Sequence, residues 1–292
     1  MCAFQCTHVV LDHRLPIKPC ELMLDAIIIA LLAVASGMSL GLGTDARVLS
    51  DLKLKTVVAV FGATALTSLG AIAISSGLSA SLRLPFMLIG SLAAGTTAPL
   101  LVSAAKGDEA TGARSVALFL VSGLVVTPVG LHLLDFTFSK SVFFTLALAG
   151  ALQTAPIAVG VVLRVRRWRY AANAKRAFAL AGNVLLALVV VASAVRNGHM
   201  VLRFRADVLL RLLGLFALTA AAGTGLGLIT RSLRASIFAT TTRNLTTALL
   251  VQTLVSHDEE ATMLLLVFGL LMYVLTTLMA AVARLLPHQR TE

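Results

Sequence analysis

The sequence predicts an all-α polytopic membrane protein with about nine transmembrane helices. Of its 292 residues, 58% are hydrophobic and 13% are charged, whereas soluble domains carry about 25% charged residues. Apolar stretches of about 20 residues, the length that spans a bilayer as a helix, recur along the chain with short gaps. They lack the polar–apolar alternation of membrane barrel strands, so helices are expected.

The predicted order is an N-terminal extension, residues 1–22, and then one transmembrane domain, residues 23–292. The extension contains cysteines and histidines whose spacing matches no zinc motif closely, so no metal site is predicted there. The longest loop between spans, 164–175, is basic and carries Trp168 and Tyr170, which suit a membrane interface. Each span is a run of apolar residues bounded by charged or turn-forming ones: 23–42, 56–78, 84–106, 113–134, 142–163, 176–196, 206–230, 233–255 and 261–286.

Charge predicts the orientation of these spans. The net charge is +11, and its lysines and arginines cluster in the short loops. An N-terminus outside the cell places about twice as many of them on the cytoplasmic side as on the other, the pattern of membrane proteins. We therefore expect a multi-pass protein of the cell (inner) membrane with a cytoplasmic C-terminus. Its basic loops are expected to contact anionic lipid rather than nucleic acid.

Two spans contain polar clusters that predict functional interruptions. Gly95–Pro99 combines glycine, threonines and a proline, which disfavours helix in the residue before it. The segment Ala239–Thr247 holds five threonines, Arg243 and Asn244 within one span. An arginine in mid-membrane costs at least roughly 2.5–3.5 kcal/mol, so a buried and functional Arg243 is expected. The alternatives are a simple proline kink and an Arg243 that reaches the cytoplasmic surface.

The surroundings of the two clusters resemble each other. Residues 95–111 and 246–262 both run from a threonine-rich cluster through an apolar half-helix to an acidic end. The predicted topology gives these segments opposite orientations, which indicates an inverted repeat. The repeats would cover about 23–134 and 142–286. Chance similarity between helices rich in Thr, Ala and Leu is the alternative.

No enzyme motif accompanies these clusters. The sequence has no His-Glu-x-x-His, no Gly-x-Ser-x-Gly elbow and no Walker loop, so no catalytic residue is predicted. The protein is expected not to be an enzyme.

Several motifs resemble the bile acid:sodium symporter family. Gly37–Leu42 is similar to the family's first conserved helix end, and Gly95–Pro99 with Ala105–Asp108 is similar to its first broken helix. Thr127-Pro128 and Thr242–Leu249 resemble the next helix and the second broken helix. The resemblance implies two inverted repeats, a core and a panel domain, and two broken helices that cross within the core. The chain would lack the family's first helix.

This sequence departs from the family at the residues that bind sodium in it. A hard cation needs several oxygen ligands, preferably including a carboxylate. The positions aligned with the family's ligands carry no such side chains: they are Ala98, Pro99, Gly112, Val116, Ala239 and Arg243. No cofactor is therefore expected, and sodium coupling is disfavoured.

The resemblance implies a secondary active transporter of a small organic anion that works by alternating access. Arg243 would bind the anion, or act as a fixed cation where relatives bind sodium, because a guanidinium suits carboxylate and phosphate. Gly95 and Pro99 would break the first helix. The expected substrate-binding residues are Arg243, Asn244, Thr96, Thr97, Thr240, Thr241 and Thr246. Two alternatives stay open: a sodium-coupled symporter with rearranged ligands, and a non-transporting membrane sensor or assembly protein. The oligomeric state is open too.

Overall fold

The computed structural model describes residues 19–43, 53–95, 97–134, 140–182, 184–185, 188, 205–256 and 258–285. Within these ranges the backbone is almost entirely helical, and it forms no strand. The helices are α1 (Pro19–Gly43), α2 (Leu54–Ile74), α3 (Ala80–Ser91), α4 (Ala98–Ala104), α5 (Glu109–Leu133), α6 (Lys140–Val165), α7 (171–182), α8 (Ala206–Thr230), α9 (Leu233–Thr241), α10 (Leu245–Val255) and α11 (Glu259–Leu285).

Four of the described helices are long and apolar enough to cross a membrane: α2, most of α5, α8 and α11. Large apolar side chains stand exposed on each of them, including Leu66, Val125, Leu210 and Leu270. Soluble proteins rarely expose such continuous apolar surface, whereas lipid covers it without cost. The all-helical membrane class is therefore confirmed at this level, and the count of nine spans stays a prediction.

The two predicted spans that contain polar clusters are each divided into two helices. Span 84–106 comprises α3 and α4, and span 233–255 comprises α9 and α10. The first span starts earlier than expected, because α1 begins at Pro19. The span predicted at 176–196 is described only in part, and the greater part of the N-terminal extension lies outside the described residues.

The largest apolar core joins the two halves of the chain. Phe86 and Met87 of α3, Leu215 of α8, and Phe268 and Met272 of α11 are all fully buried in it. Around this core α2 packs against α3, α5 and α8, and α9 packs along α8. These helices hold the interrupted segments between them.

A second packing unit is formed by α1 and α6. Their backbones touch at Gly41 and Gly160: a Cβ added at Gly160 would lie 2.7 Å from the backbone nitrogen of Leu42. This pair contacts the remaining described helices mainly through α10, with a smaller contact to α5. Apart from α7, the described helices therefore fall into two groups, and α10 lies at the seam between them.

Candidate functional site

The two interrupted helices meet where each of them is broken. Ala93 and Arg243 form an isolated antiparallel β-bridge. The Gly95 N–H donates to the Thr242 carbonyl at 2.8 Å, and the Asn244 N–H donates to the Leu92 carbonyl at 2.9 Å. Backbone groups freed by a helix break inside a membrane need a partner within the protein. Here each break supplies partners for the other.

This crossing depends on a close backbone approach. A Cβ on Gly95 would lie 2.8 Å from the Arg243 carbonyl oxygen, closer than real Cβ atoms come to other atoms. The neighbouring Ala94 adopts φ +64°, in the left-handed region that non-glycine residues rarely enter. Both residues are buried. The chain therefore turns sharply at Ala94 and reaches its partner segment at Gly95.

The second half of each interrupted helix begins with a residue suited to a helix start. Pro99 is the second residue of α4, where its missing N–H has no intrahelical partner to lose. Asn244 is the N-cap of α10, and its side-chain oxygen accepts a hydrogen bond from the Thr247 N–H at 3.2 Å. The proline thus starts a helix rather than kinking one, and the break itself lies between Ser91 and Ala98.

Arg243 is buried at the crossing, with 2% of its surface exposed. Its Nη1 donates to the Gly90 carbonyl at 3.3 Å, and its backbone N–H donates to Met272 Sδ at 2.9 Å. Its Nε and Nη2 are buried and have no hydrogen-bond partner among the described residues. The side chain therefore does not reach the surface, and two of its donor nitrogens are left available.

The positive charge of Arg243 lies beside the carbonyl end of a helix rather than beside a carboxylate. Gly90 lies in the last turn of α3, where the carbonyls carry the negative end of the helix dipole. The same carbonyl also accepts a hydrogen bond from Thr67 Oγ1 at 2.7 Å. No ion pair joins Arg243 to an acidic side chain among the residues that the structure describes. Burying a cation without a counter-ion is costly, and the described residues offset that cost only with a hydrogen bond to a helix end.

The predicted threonines have different surroundings. Thr240 and Thr241 are buried and donate their hydroxyl protons to carbonyls of their own helix, at 2.8 Å to Ser236 and 2.7 Å to Ile237. Thr246 is buried in the first turn of α10. Thr97 is half-buried at the start of α4, and its hydroxyl oxygen is buried without a hydrogen-bond partner among the described residues. Thr96 lies outside the described residues.

The positions that align with the family's sodium ligands form an apolar surface beside the crossing. Ala98, Val116 and Ala239 are fully buried and belong to one hydrophobic cluster, together with Ala93 and Ala94. Gly112 is also buried, against Val102. None of these side chains contains an oxygen atom. The residues do not fit a sodium site of the family's kind.

A small cavity lies beside the crossing, at the seam between the two groups of helices. Its walls include Asn244 and Thr247, which the sequence had singled out, and Gly150 and Thr154 of α6. Its volume of about 10 Å³ suits about one water molecule. Arg243 is not part of its lining. This cavity is too small for an organic solute.

The sequence did not predict a role for Gly90, Thr67 or Met272. Gly90 and Met272 accept hydrogen bonds from Arg243, and Thr67 donates to the same Gly90 carbonyl. They are ordinary residues of apolar spans, and no local signal distinguishes them. Thr154 could have been found, because Gln153-Thr154 interrupts an apolar run four residues after Gly150. The cysteines and histidines of the extension, Cys2 to Cys20, contribute no described side chain.

No model of a protein family matches the chain, and the comparison with curated proteins found no match either. The likeness to the bile acid:sodium symporters therefore rests on the quoted motifs.

Proposed function

We propose that the protein is a secondary active transporter of a small organic anion, working by alternating access and related to the bile acid:sodium symporters. The observation that carries the proposal is the state of Arg243. A buried guanidinium whose Nε and Nη2 lack partners can hold a carboxylate, sulfonate or phosphate by two parallel hydrogen bonds. Nothing in the described surroundings of Arg243 competes for those donors.

The crossing supports a transport site rather than a purely structural one. Irregular backbone at membrane depth is tolerated where it is buried in protein or lines a pathway. In inverted-repeat transporters, interrupted helices meet at the substrate site near the middle of the membrane. The bridge between Ala93 and Arg243 joins two interrupted helices that lie in the two halves of the chain. In our proposal these halves are the inverted repeats.

The grouping of helices supports a mode of movement. The α1–α6 pair contacts the other described helices mainly through α10, and the small cavity lies along this seam. We assign α1 and α6 to the panel and the interrupted helices to the core. Movement of the core against the panel would widen the cavity toward Asn244 and the crossing, first on one side of the membrane and then on the other.

Sodium-independent transport follows from the residues beside the crossing. Ala98, Val116 and Ala239 offer no oxygen ligand, and Arg243 would repel a cation. The alternative hypothesis is a sodium-coupled symporter that uses threonine oxygens as ligands. It draws support from Thr240 and Thr241, because each hydroxyl donates its proton to a carbonyl and so presents lone pairs.

A ligand screen followed by uptake tests the proposal. Purified protein is heated with a panel of carboxylates, sulfonates and organic phosphates, each in NaCl and in KCl. We expect at least one anion to raise the unfolding midpoint equally in both salts, and to be taken up by proteoliposomes when K⁺ replaces Na⁺. A strict Na⁺ requirement would favour the hypothesis of a sodium-coupled symporter. Failure of every anion to bind or to be transported would leave the non-transporting sensor.

A further inference from the structure

A second cavity lies away from the crossing, where α2 begins, α5 completes its first turns and α8 ends. Its volume is about 240 Å³. Four of the seven residues in its walls are cationic, and they come from all three helices. The complete lining is Lys53, Lys55, Thr56, Arg114, Ile229, Thr230 and Arg231.

No described acidic side chain balances the positive charge of this cavity, and the carbonyl end of α8 offsets it only in part. No acidic residue lines it, and none of its four cations forms an ion pair with a described acidic side chain. Arg114 is half-buried, and its Nε is buried with no hydrogen-bond partner in the described ranges. Four like charges around one cavity repel one another, and an unpaired buried donor adds to the cost. A bound anion would reduce the repulsion between the four cations and would accept a hydrogen bond from the unpaired donor.

The start of α2 adds backbone donors to these side chains. Lys53 is the N-cap residue, but its side chain makes no capping hydrogen bond, and the first turn of α2 contains no acidic residue. Thr56 and Val57 donate their N–H groups to the Lys53 carbonyl. In the described part of the chain no side chain caps the earlier N–H groups or offsets the positive dipole end of this 21-residue helix. Helix N-termini of this kind bind phosphate groups.

We propose that this cavity binds a phosphate group. Its donors reach it from three helices, which suits a tetrahedral anion with oxygens in several directions better than a planar carboxylate that one arginine can satisfy. The phosphate could belong to an anionic lipid headgroup or to a soluble phosphate. The site is separate from the crossing, so it does not depend on the proposed transport function.

Binding measurements on purified full-length protein test this proposal and distinguish the two sources. Inorganic phosphate is titrated into protein in a neutral detergent, with chloride at equal ionic strength as the reference. Phosphatidylglycerol is compared with phosphatidylcholine in lipid nanodiscs. The unfolding midpoint is measured throughout. The cavity variant is Lys55→Gln/Arg114→Gln, and its matched control is Lys106→Gln/Arg284→Gln, which removes the same two charge types from exposed positions outside the cavity.

We expect wild-type protein to be stabilised by at least one probe, with an apparent affinity at least about tenfold lower in the cavity variant and nearly unchanged in the control. A response to inorganic phosphate identifies a soluble ligand, and a response to phosphatidylglycerol alone identifies a lipid. Equal responses of the two variants, or no wild-type response to either probe, would overturn the proposal. Should Arg114→Gln prevent folding, Lys53→Gln/Lys55→Gln replaces it, because both lysines are exposed.

Discussion

Replacing Arg243 with glutamine should stabilise the empty protein and weaken substrate binding. The two effects have opposite signs because the guanidinium is poorly satisfied without a ligand. Arg243→Gln removes the buried charge and the unpartnered Nε and Nη2. It also removes one long hydrogen bond, 3.3 Å from Nη1 to the Gly90 carbonyl. That carbonyl keeps its bond from Thr67 Oγ1 at 2.7 Å, so it is not left unpaired.

The size of each effect follows from these contacts. The lost hydrogen bond is worth about 0.5–1.5 kcal/mol, whereas removing a poorly compensated buried charge gains about 1–4 kcal/mol. The net expectation is a stabilisation of about 1–2 kcal/mol. Two hydrogen bonds to a charged ligand contribute about 1.5–3 kcal/mol each. Their loss should weaken substrate binding by a factor of about 100 or more.

Thermal unfolding and proteoliposome uptake measure the two effects on the same preparations, with the best-binding anion from the ligand screen. Arg243→Lys separates charge from geometry, because lysine keeps the charge but cannot form the two parallel bonds. Arg234→Gln is the control: the Arg234 Nη1 donates to the Ala105 carbonyl at 2.7 Å. Its loss should lower stability by about 1–3 kcal/mol and leave substrate affinity unchanged.

Two results would refute this reasoning about Arg243. If Arg243→Gln retains the wild-type KM and maximal rate, the side chain neither binds the substrate nor sets the charge of the site. If Arg243→Gln unfolds at a clearly lower temperature than wild type while Arg234→Gln does not, Arg243 is a structural element of the crossing.

Two further predictions concern the backbone of the crossing. Gly95→Ala should destabilise the protein by about 1–3 kcal/mol and abolish uptake, since the new Cβ would meet the Arg243 carbonyl 2.8 Å away. The adjacent Ala94→Gly relieves a left-handed φ but removes a buried methyl group, so its stability should stay within about 1 kcal/mol of wild type; a loss as large as that of Gly95→Ala would contradict the close-approach argument. Asn244→Ala should cost about 1 kcal/mol through loss of the N-cap, and Asn244→Ser should restore most of it. Equal midpoints for the two Asn244 variants in thermal unfolding would show that the cap is not what Asn244 contributes.

Much of the crossing could be predicted from local sequence. Glycine, threonine and proline between 95 and 99, and an arginine within an apolar span, are unfavourable in an ordinary lipid-facing helix. They therefore mark where the helix is interrupted and which charge is buried. The first break begins earlier than the cluster indicates, because α3 already ends at Ser91. Leu92, Ala93 and Ala94 carry no helix-breaking signal of their own.

The partners of these segments could not be predicted in the same way. The register that pairs Ala93 with Arg243, and the contact of Arg243 with Gly90, join residues about 150 positions apart in the chain. Such contacts depend on how whole helices pack, and a single sequence contains no periodicity that reports them. The same is true of Met272, an ordinary methionine of α11 that receives the Arg243 N–H. The similarity of the two threonine clusters indicates that the two interrupted segments belong together, but it does not predict which residues pair.

Arg243 occupies a position at which the resemblance to the symporter family implies a sodium ligand. The electrostatics of the crossing explain why an arginine suits that position. Both α3 and α9 end there, so their negative dipole ends converge on one buried region. A cation nearby stabilises such ends, whether it is a bound ion or a side chain, but at Arg243 this gain is smaller than the cost of burying a guanidinium whose Nε and Nη2 have no described partner. Arg243 supplies that charge permanently, in contact with the Gly90 carbonyl, and the apolar cluster of Ala98, Val116 and Ala239 leaves no oxygen cage for an ion. Removing the charge by Arg243→Gln therefore does not create sodium dependence, because the ligands would still be missing. In the proposed transporter, the driving force would then come from the substrate or from another ion rather than from sodium.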